Sequence, residues 1–287
     1  MKLKVLDKFF WDYFKECPRK ACLSYYDNNI FGYRPIKFRF KTLEQEKEGI
    51  FEATACKFFE ELIEKKSISY TRLKEIFYYV TAHRLANITN GIKYSDDYKK
   101  QFREMIIELR NFKEFKEFAE ILNPEDAVNM STGMKATINL SEYANHNIHE
   151  NNYKSIKSKF EYRINFPFYK RNKRGSVMPI HFNHAGYPFD FQDLNYELIL
   201  TKLFFEKCVD EKMTGIIVYD FKTMKRYIVK DLKANFSAIR RILETIDRHL
   251  VYPNNKYERC IQCQHYKFCE NNLYSKEAER MRKKYHD

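Results

Sequence analysis

Three thiols stand within ten residues in the run Cys260-Ile261-Gln262-Cys263-Gln264-His265-Tyr266-Lys267-Phe268-Cys269, and no other feature constrains the fold as strongly. Two cysteines separated by two residues can grip one metal centre from a single turn, as in zinc and iron–sulfur sites. Three thiolates need a fourth ligand. His265 would complete a local zinc knuckle. Cys17 would complete an all-cysteine site and tie together segments separated by 242 residues. The remaining cysteines, Cys22, Cys56 and Cys208, stand among aromatic or aliphatic neighbours and read as apolar core residues, although Cys22 is near enough to Cys17 to compete for the ligand role.

Charge narrows the partner class. The chain carries 52 basic and 39 acidic residues, a formal net charge of +13. A surplus of this size suits a polyanion, because each phosphate neutralised releases condensed counterions. Met1–Phe14 mixes Lys and Asp through its apolar residues, unlike a secretory signal, and no run approaches the roughly 20 apolar residues of a membrane span. The expectation is a cytoplasmic protein, nucleoid-associated if it binds DNA, in which seven cysteines point to a metal site over a disulfide framework.

The periodicity divides the chain into four regions. Apolar residues at 6, 9, 10, 13 and 14 predict a one-faced helix that stops near Cys17, because Pro18 disfavours helical geometry before it. Residues 42–123 read as helix, opened by a Thr42/Gln45 capping box and continued over 70–86 and 97–121. Asn123-Pro124 marks a break, and 124–158 is polar and irregular. Two strand pairs follow, Phe160–Tyr169 with Val177–Phe182 and Gly215–Tyr219 with Arg226–Val229, around a helix carrying Tyr196, Ile199, Leu200 and Leu203 on one face. A last amphipathic helix presents Phe236, Ile239, Leu243, Ile246 and Leu250. The fold class is α/β, with a mixed central sheet flanked by helices.

The helix leading into Phe14-Lys15-Glu16-Cys17-Pro18-Arg19, together with Cys-x2-Cys-x5-Cys far downstream, resembles the iron–sulfur branch of the RecB-like PD-(D/E)XK nucleases, which includes AddB-type subunits and CRISPR-adaptation exonucleases. The resemblance covers residues 5–60 and 160–270. It implies a restriction-endonuclease-like core from residues 1–64 and 159–274, closed by a [4Fe–4S] cluster on Cys17, Cys260, Cys263 and Cys269. A single Zn²⁺ is the alternative occupant. Residues 65–158 would then be a mostly helical insertion, and 275–287 a basic tail.

Enzymes of this group hold Mg²⁺ or Mn²⁺ with an acid on one strand and an acid-x-Lys pair on the next, and a following helix often carries Gln-x3-Tyr. Gln192 and Tyr196 fit that helix. Asn165, however, stands where the first acid belongs, and His181 and Asn183 where the acid-x-Lys pair belongs. Asn supplies one neutral carbonyl, and His prefers softer metals than Mg²⁺, so the implied site is degenerate. Asp220-Phe221-Lys222-Thr223 is a competing acid-x-Lys motif, but no Gln-x3-Tyr helix follows it, and it reads better as a solvated hairpin turn. Four cations at a predicted hairpin tip, Lys170, Arg171, Lys173 and Arg174, are the candidate phosphate contacts. Three functions remain open from the sequence. The chain is a cluster-bearing pseudo-nuclease that binds DNA or RNA through the backbone within a larger replication, repair, mobile-element or defence complex; or it is an active Mg²⁺/Mn²⁺-dependent nuclease; or it is a protein-interaction subunit on a reused nuclease fold.

Overall fold

The computed structural model describes residues 6, 10–11, 13–14, 17–25, 41–65, 67–90, 94–111, 113–132, 135–146, 155–183, 195–230 and 236–247. They fall into two compact units, one of Met1–Pro35, Ala136–Ile164 and Asn235–Asp287, the other of Ile36–Lys135 and Asn165–Ala234.

The second unit is built on helix and strand signals that the sequence states locally. Helix α2 (Leu43–Lys65) opens on the expected capping box, Thr42 N–H donating to Gln45 Oε1 at 3.0 Å and Gln45 N–H to Thr42 Oγ1 at 3.2 Å. Helix α3 (Tyr70–Thr89) and helix α4 (Asp96–Arg110) start at Ser69 and Ser95, whose hydroxyls accept from the Arg72 and Tyr98 N–H groups. The helical pattern over 97–121 is two helices rather than one. Asn111 caps α4, its N–H reaching the carbonyls of Ile107 and Glu108, and α5 (Lys113–Ile121) begins afresh.

After a 3-10 turn at Pro124–Ala127 come β1 (Met130–Thr132), β4 (Phe168–Arg171), β5 (Val177–Asn183), helix α7 (Asn195–Phe204), β6 (Gly215–Asp220) and β7 (Lys225–Lys230). The five strands form one mixed sheet in the order β1-β4-β5-β6-β7, antiparallel throughout except for the parallel β5–β6 pair, which the α7 crossover requires. The α/β class with a helix-flanked mixed sheet is therefore as expected. β7 runs so close to β6 that a Cβ on Gly215 would meet the Val229 carbonyl oxygen at 2.4 Å, a contact only glycine permits.

Alternation along the strands assigns the two faces. Phe168, Ile180, Phe182, Ile217 and Tyr219 share a core with Phe51, Phe59, Phe77 and Phe118 of the helices α2, α3 and α5. On the other face Tyr169 meets Phe205, in the π-helical turn Phe205–Val209 that ends α7, at 5.6 Å between ring centres. The segment read as an insertion, 65–158, thus does not stand apart. Its helices α3, α4 and α5 share the sheet's core, and β1, within the stretch read as irregular, is a sheet strand paired with β4. A three-residue Met-Ser-Thr strand is too short to show a period of its own, so its pairing is decided by β4.

In the first unit Phe10, Trp11, Tyr13 and Phe14 lie in helical backbone, and α1 (Pro18–Tyr25) follows. Pro18 does not merely stop a helix, since it also opens the next one, at the first position, where its missing N–H is not needed. Leu6, expected to be helical, instead bridges Tyr162. Strands β2 (Lys135–Asn139) and β3 (Glu161–Asn165) pair, with α6 (Leu140–His146) between them in the chain and α8 (Phe236–Asp247) later. The expected strand 160–169 is therefore two strands. Pro167 interrupts it, β3 pairing with β2 and β4 with β5.

Candidate functional site

Of the residues singled out as a degenerate nuclease centre, His181 and Asn183 lie toward the carboxyl end of β5, beside parallel β6, whereas Asn165 does not. His181 lies opposite Val218 and Asn183 opposite Asp220, all on the sheet face away from α2. Ligands of open α/β sheets bind outside the carboxyl ends of parallel strands. Asn183 accepts the Phe221 N–H through its carbonyl at 3.0 Å, while its half-buried side chain keeps a buried Nδ2 with no acceptor among the described residues. Tyr196 lies in α7, the helix after β5, and Gln192 lies outside the described residues. Asn165 ends β3 in the ribbon with β2 and is not in the five-stranded sheet.

The competing motif is at the same place. Asp220 is β6's last residue and fully buried, not solvated as its turn position suggested. Its Oδ1 accepts the Lys222 N–H at 3.0 Å and its Oδ2 the Thr223 hydroxyl at 2.7 Å, so the carboxylate shapes the β6–β7 turn. Lys222 is exposed. A hard divalent ion needs several oxygen ligands. This strand end offers one carboxylate already engaged by the turn, one neutral amide and one imidazole. Among the described residues no three His, Cys, Asp or Glu side chains group so as to hold a metal ion.

Cys17 is half-exposed at the start of α1. Its N–H donates to the Tyr13 carbonyl at 2.8 Å and its own carbonyl accepts from Ala21 at 3.1 Å, which sets the thiol at the junction of two helical segments. Cys22 is fully buried and Cys56 half-buried, while Cys260, Cys263 and Cys269 lie outside the described residues. Packing within the unit joins the Cys17 segment to the helix preceding the cysteine run. The Trp11 and Tyr162 rings are 6.3 Å apart, and the Asp247 carboxylate at the end of α8 accepts the N–H groups of Lys157 and Ser158 at 3.0 and 2.8 Å, just before β3. Twelve residues separate Asp247 from Cys260.

The basic hairpin between β4 and β5 forms as expected, and only part of it is available. Asn172 organises the turn, its Oδ1 accepting the N–H groups of Arg174 and Ser176, and Gly175 adopts φ +77°. Arg171 is held by Glu211 at 2.6 Å, and Lys170 donates to the Glu125 carbonyl at 2.8 Å. Lys173 and Arg174 are exposed at the tip, with no ion-pair partner among the described residues.

The most elaborate buried polar group in this unit carried no signal in the sequence. Asp126, in the 3-10 turn and 1% exposed, accepts from Arg226 at 2.6 and 2.5 Å and from the Tyr219 hydroxyl at 2.5 Å. Burial first, and then the Asp126 charge, push the Tyr219 phenol far above its usual range, so it stays a donor. Every strong acceptor and donor here is matched within the group, which marks a structural lock between the turn, β6 and β7. The +13 surplus is not uniform either, since residues 41–126 carry 15 basic and 17 acidic side chains. No protein-family model matches this chain, and no curated protein matches it. No helix among the described residues is long and apolar enough to cross a membrane.

Proposed function

We propose that this protein is a nucleic-acid-binding pseudo-nuclease of the iron–sulfur RecB-like type, its catalytic acids replaced and its role that of a cytoplasmic subunit in a DNA- or RNA-processing complex. The observation that carries the reading is the order of elements around the sheet. Strand β4 is followed by antiparallel β5, then by α7 bearing Tyr196, then by β6 parallel to β5. In the resembling nucleases the acid strand, the acid-x-Lys strand and the Gln-x3-Tyr helix come in that order; β4 stands in the acid strand's place here, although Asn165, read for the first acid, lies in β3. The strand in the acid-x-Lys place ends His181-Phe182-Asn183.

Cys17, Cys260, Cys263 and Cys269 would hold the [4Fe–4S] cluster, whose four thiolate bonds would staple distant segments of the chain. A half-exposed thiol in the same unit as α8 fits that role. Lys173 and Arg174 would meet the phosphate backbone.

The test is anaerobic purification with iron and zinc assay on wild type and Cys17→Ala, joined to a degradation assay on labelled DNA and RNA with Mg²⁺ or Mn²⁺. The expected result is about four irons per chain, lost with Cys17, and no degradation. One zinc indifferent to Cys17 would leave a local knuckle and remove the family reading. Degradation abolished by Asp220→Ala would make the protein an active nuclease using the competing motif.

A further inference from the structure

The β6–β7 hairpin, Gly215–Lys230, carries four basic side chains and one acid. The acid is Asp220, fully buried, both its oxygens occupied by the turn it shapes. Of the cations, Arg226 is bound by Asp126, whereas Lys222 and Lys225 are exposed and have no carboxylate partner among the described residues. One rung of the sheet runs Asn183–Asp220–Lys225 across β5, β6 and β7, and two residues further in another runs His181–Val218–Tyr227. Alternation puts both rungs on a single face, the one away from α2. The turn between the two lysines is held in shape from this side. Asp220 accepts the Lys222 N–H and the Thr223 hydroxyl, the Tyr227 hydroxyl stands 3.5 Å from Thr223 Oγ1, and Met224 closes the turn in the left-handed region at φ +49°. Asn183 is neutral beside them, and its Nδ2 lacks an acceptor among the described residues.

We propose that this strand end binds a phosphate group of a nucleic acid without a metal ion, the phosphate oxygens held by Lys222 and Lys225, with Asn183 beside them as a neutral donor. A phosphate oxygen only accepts, and a lysine ammonium meets it as a point charge with three donors. The replacements that leave this place poor in ligands for Mg²⁺ also leave it without a second carboxylate to repel an anion. Two unpaired lysines then outweigh the one buried acid. The position suits a ligand, since open α/β sheets bind theirs outside the carboxyl ends of parallel strands. Because the turn is fixed by Asp220 before any ligand arrives, little ordering remains to be done on binding. The inference rests on the nucleic-acid reading above and gives it a second anchoring point. β5 runs seven residues from the Lys173/Arg174 hairpin to this end, about 20 Å, so the two sets of cations act independently.

The test is fluorescence anisotropy on the full chain at low salt, first without Mg²⁺ and then with it. The probes are 3′-labelled oligothymidylates with and without a 5′-phosphate. The variants are Lys222→Ala/Lys225→Ala, the conservative Lys222→Arg/Lys225→Arg and the hairpin pair Lys173→Ala/Arg174→Ala, each checked by circular dichroism. Without Mg²⁺ the alanine pair is expected to lose roughly tenfold or more in affinity, as for charged hydrogen bonds removed. The arginine pair should bind about as wild type, and combining the alanine and hairpin pairs should multiply their losses. A loss confined to the 5′-phosphorylated probe would make the ligand a terminal phosphate, and an equal loss with both probes an internal phosphodiester. Wild-type affinity in the alanine pair, with loss in the hairpin pair, would overturn this site while sparing the nucleic-acid reading. Binding by wild type that appears only with Mg²⁺ would overturn the metal-free site. If wild type binds neither probe under either condition, both proposals fall.

Discussion

Cys56 shows how far a residue's behaviour departs from what its name suggests. It is half-buried on α2, and burial first, then the charges of Glu52 and Glu60, push its thiol up to about 12. The thiol rather than the thiolate is therefore the folded form at ordinary pH, and only the thiolate is nucleophilic. Iodoacetamide at pH 8 is expected to leave Cys56 unlabelled in the native protein and to label it after unfolding, as read by peptide mass spectrometry; equal labelling in both states would refute this. Because the folded value is raised above the ordinary 9.0, the linked stability is complete below about 9 and fades as the pH rises toward 12. That Cys56 is packed among apolar neighbours was legible in the sequence. The two carboxylates one turn away on either side were visible too, but their weight depends on the burial that folding imposes. Asp220 teaches the converse. Its turn position was legible, yet its complete burial was not, because the enclosing strands come from distant parts of the chain.

At the scale of elements, the helices announced themselves. Apolar spacing and the Thr42/Gln45 box marked starts within a residue or two, and the structure adds Ser69 and Ser95 as the caps of α3 and α4, because capping satisfies local N–H groups and needs no partner from afar. Strands were legible as hairpins but not as ladders. The pairing of β1 with β4, and the transfer of 161–165 to a separate ribbon with β2, depend on which strand lies alongside. The Asp126 lock belongs to this scale, since one carboxylate ties a 3-10 turn to β6 and β7. Asp126→Asn removes the counter-charge and leaves the Arg226 guanidinium, 23% exposed, without its partner. The variant should lose about 3 kcal/mol in urea unfolding, near the low end for breaking a buried pair because Arg226 keeps some access to water. Pairing it with Arg226→Met should restore part of the loss. A single variant as stable as wild type would mean that the lock contributes little.

For the whole molecule, the +13 charge predicts binding whose strength falls with salt. A log–log plot of affinity against salt between 50 and 200 mM should be linear, and replacing Lys173 and Arg174 together should flatten its slope by about 2, one for each phosphate left without its cation. A slope unchanged by that pair would show that the hairpin tip stands away from the backbone. Composition and period alone established the α/β class, most of the long helices, both β-hairpins and the sign of the net charge, because each depends on neighbours within a few turns or on a plain count; the division of 97–121 into two helices and the short helices α1 and α6 did not show. Only the tertiary structure decided that the helical segment shares the sheet's core, and that Asn183 and Asp220 stand side by side while Asn165 belongs to another ribbon. Those facts join residues tens of positions apart, and the free energy that brings them together comes from burial of surface, which no short window of sequence records.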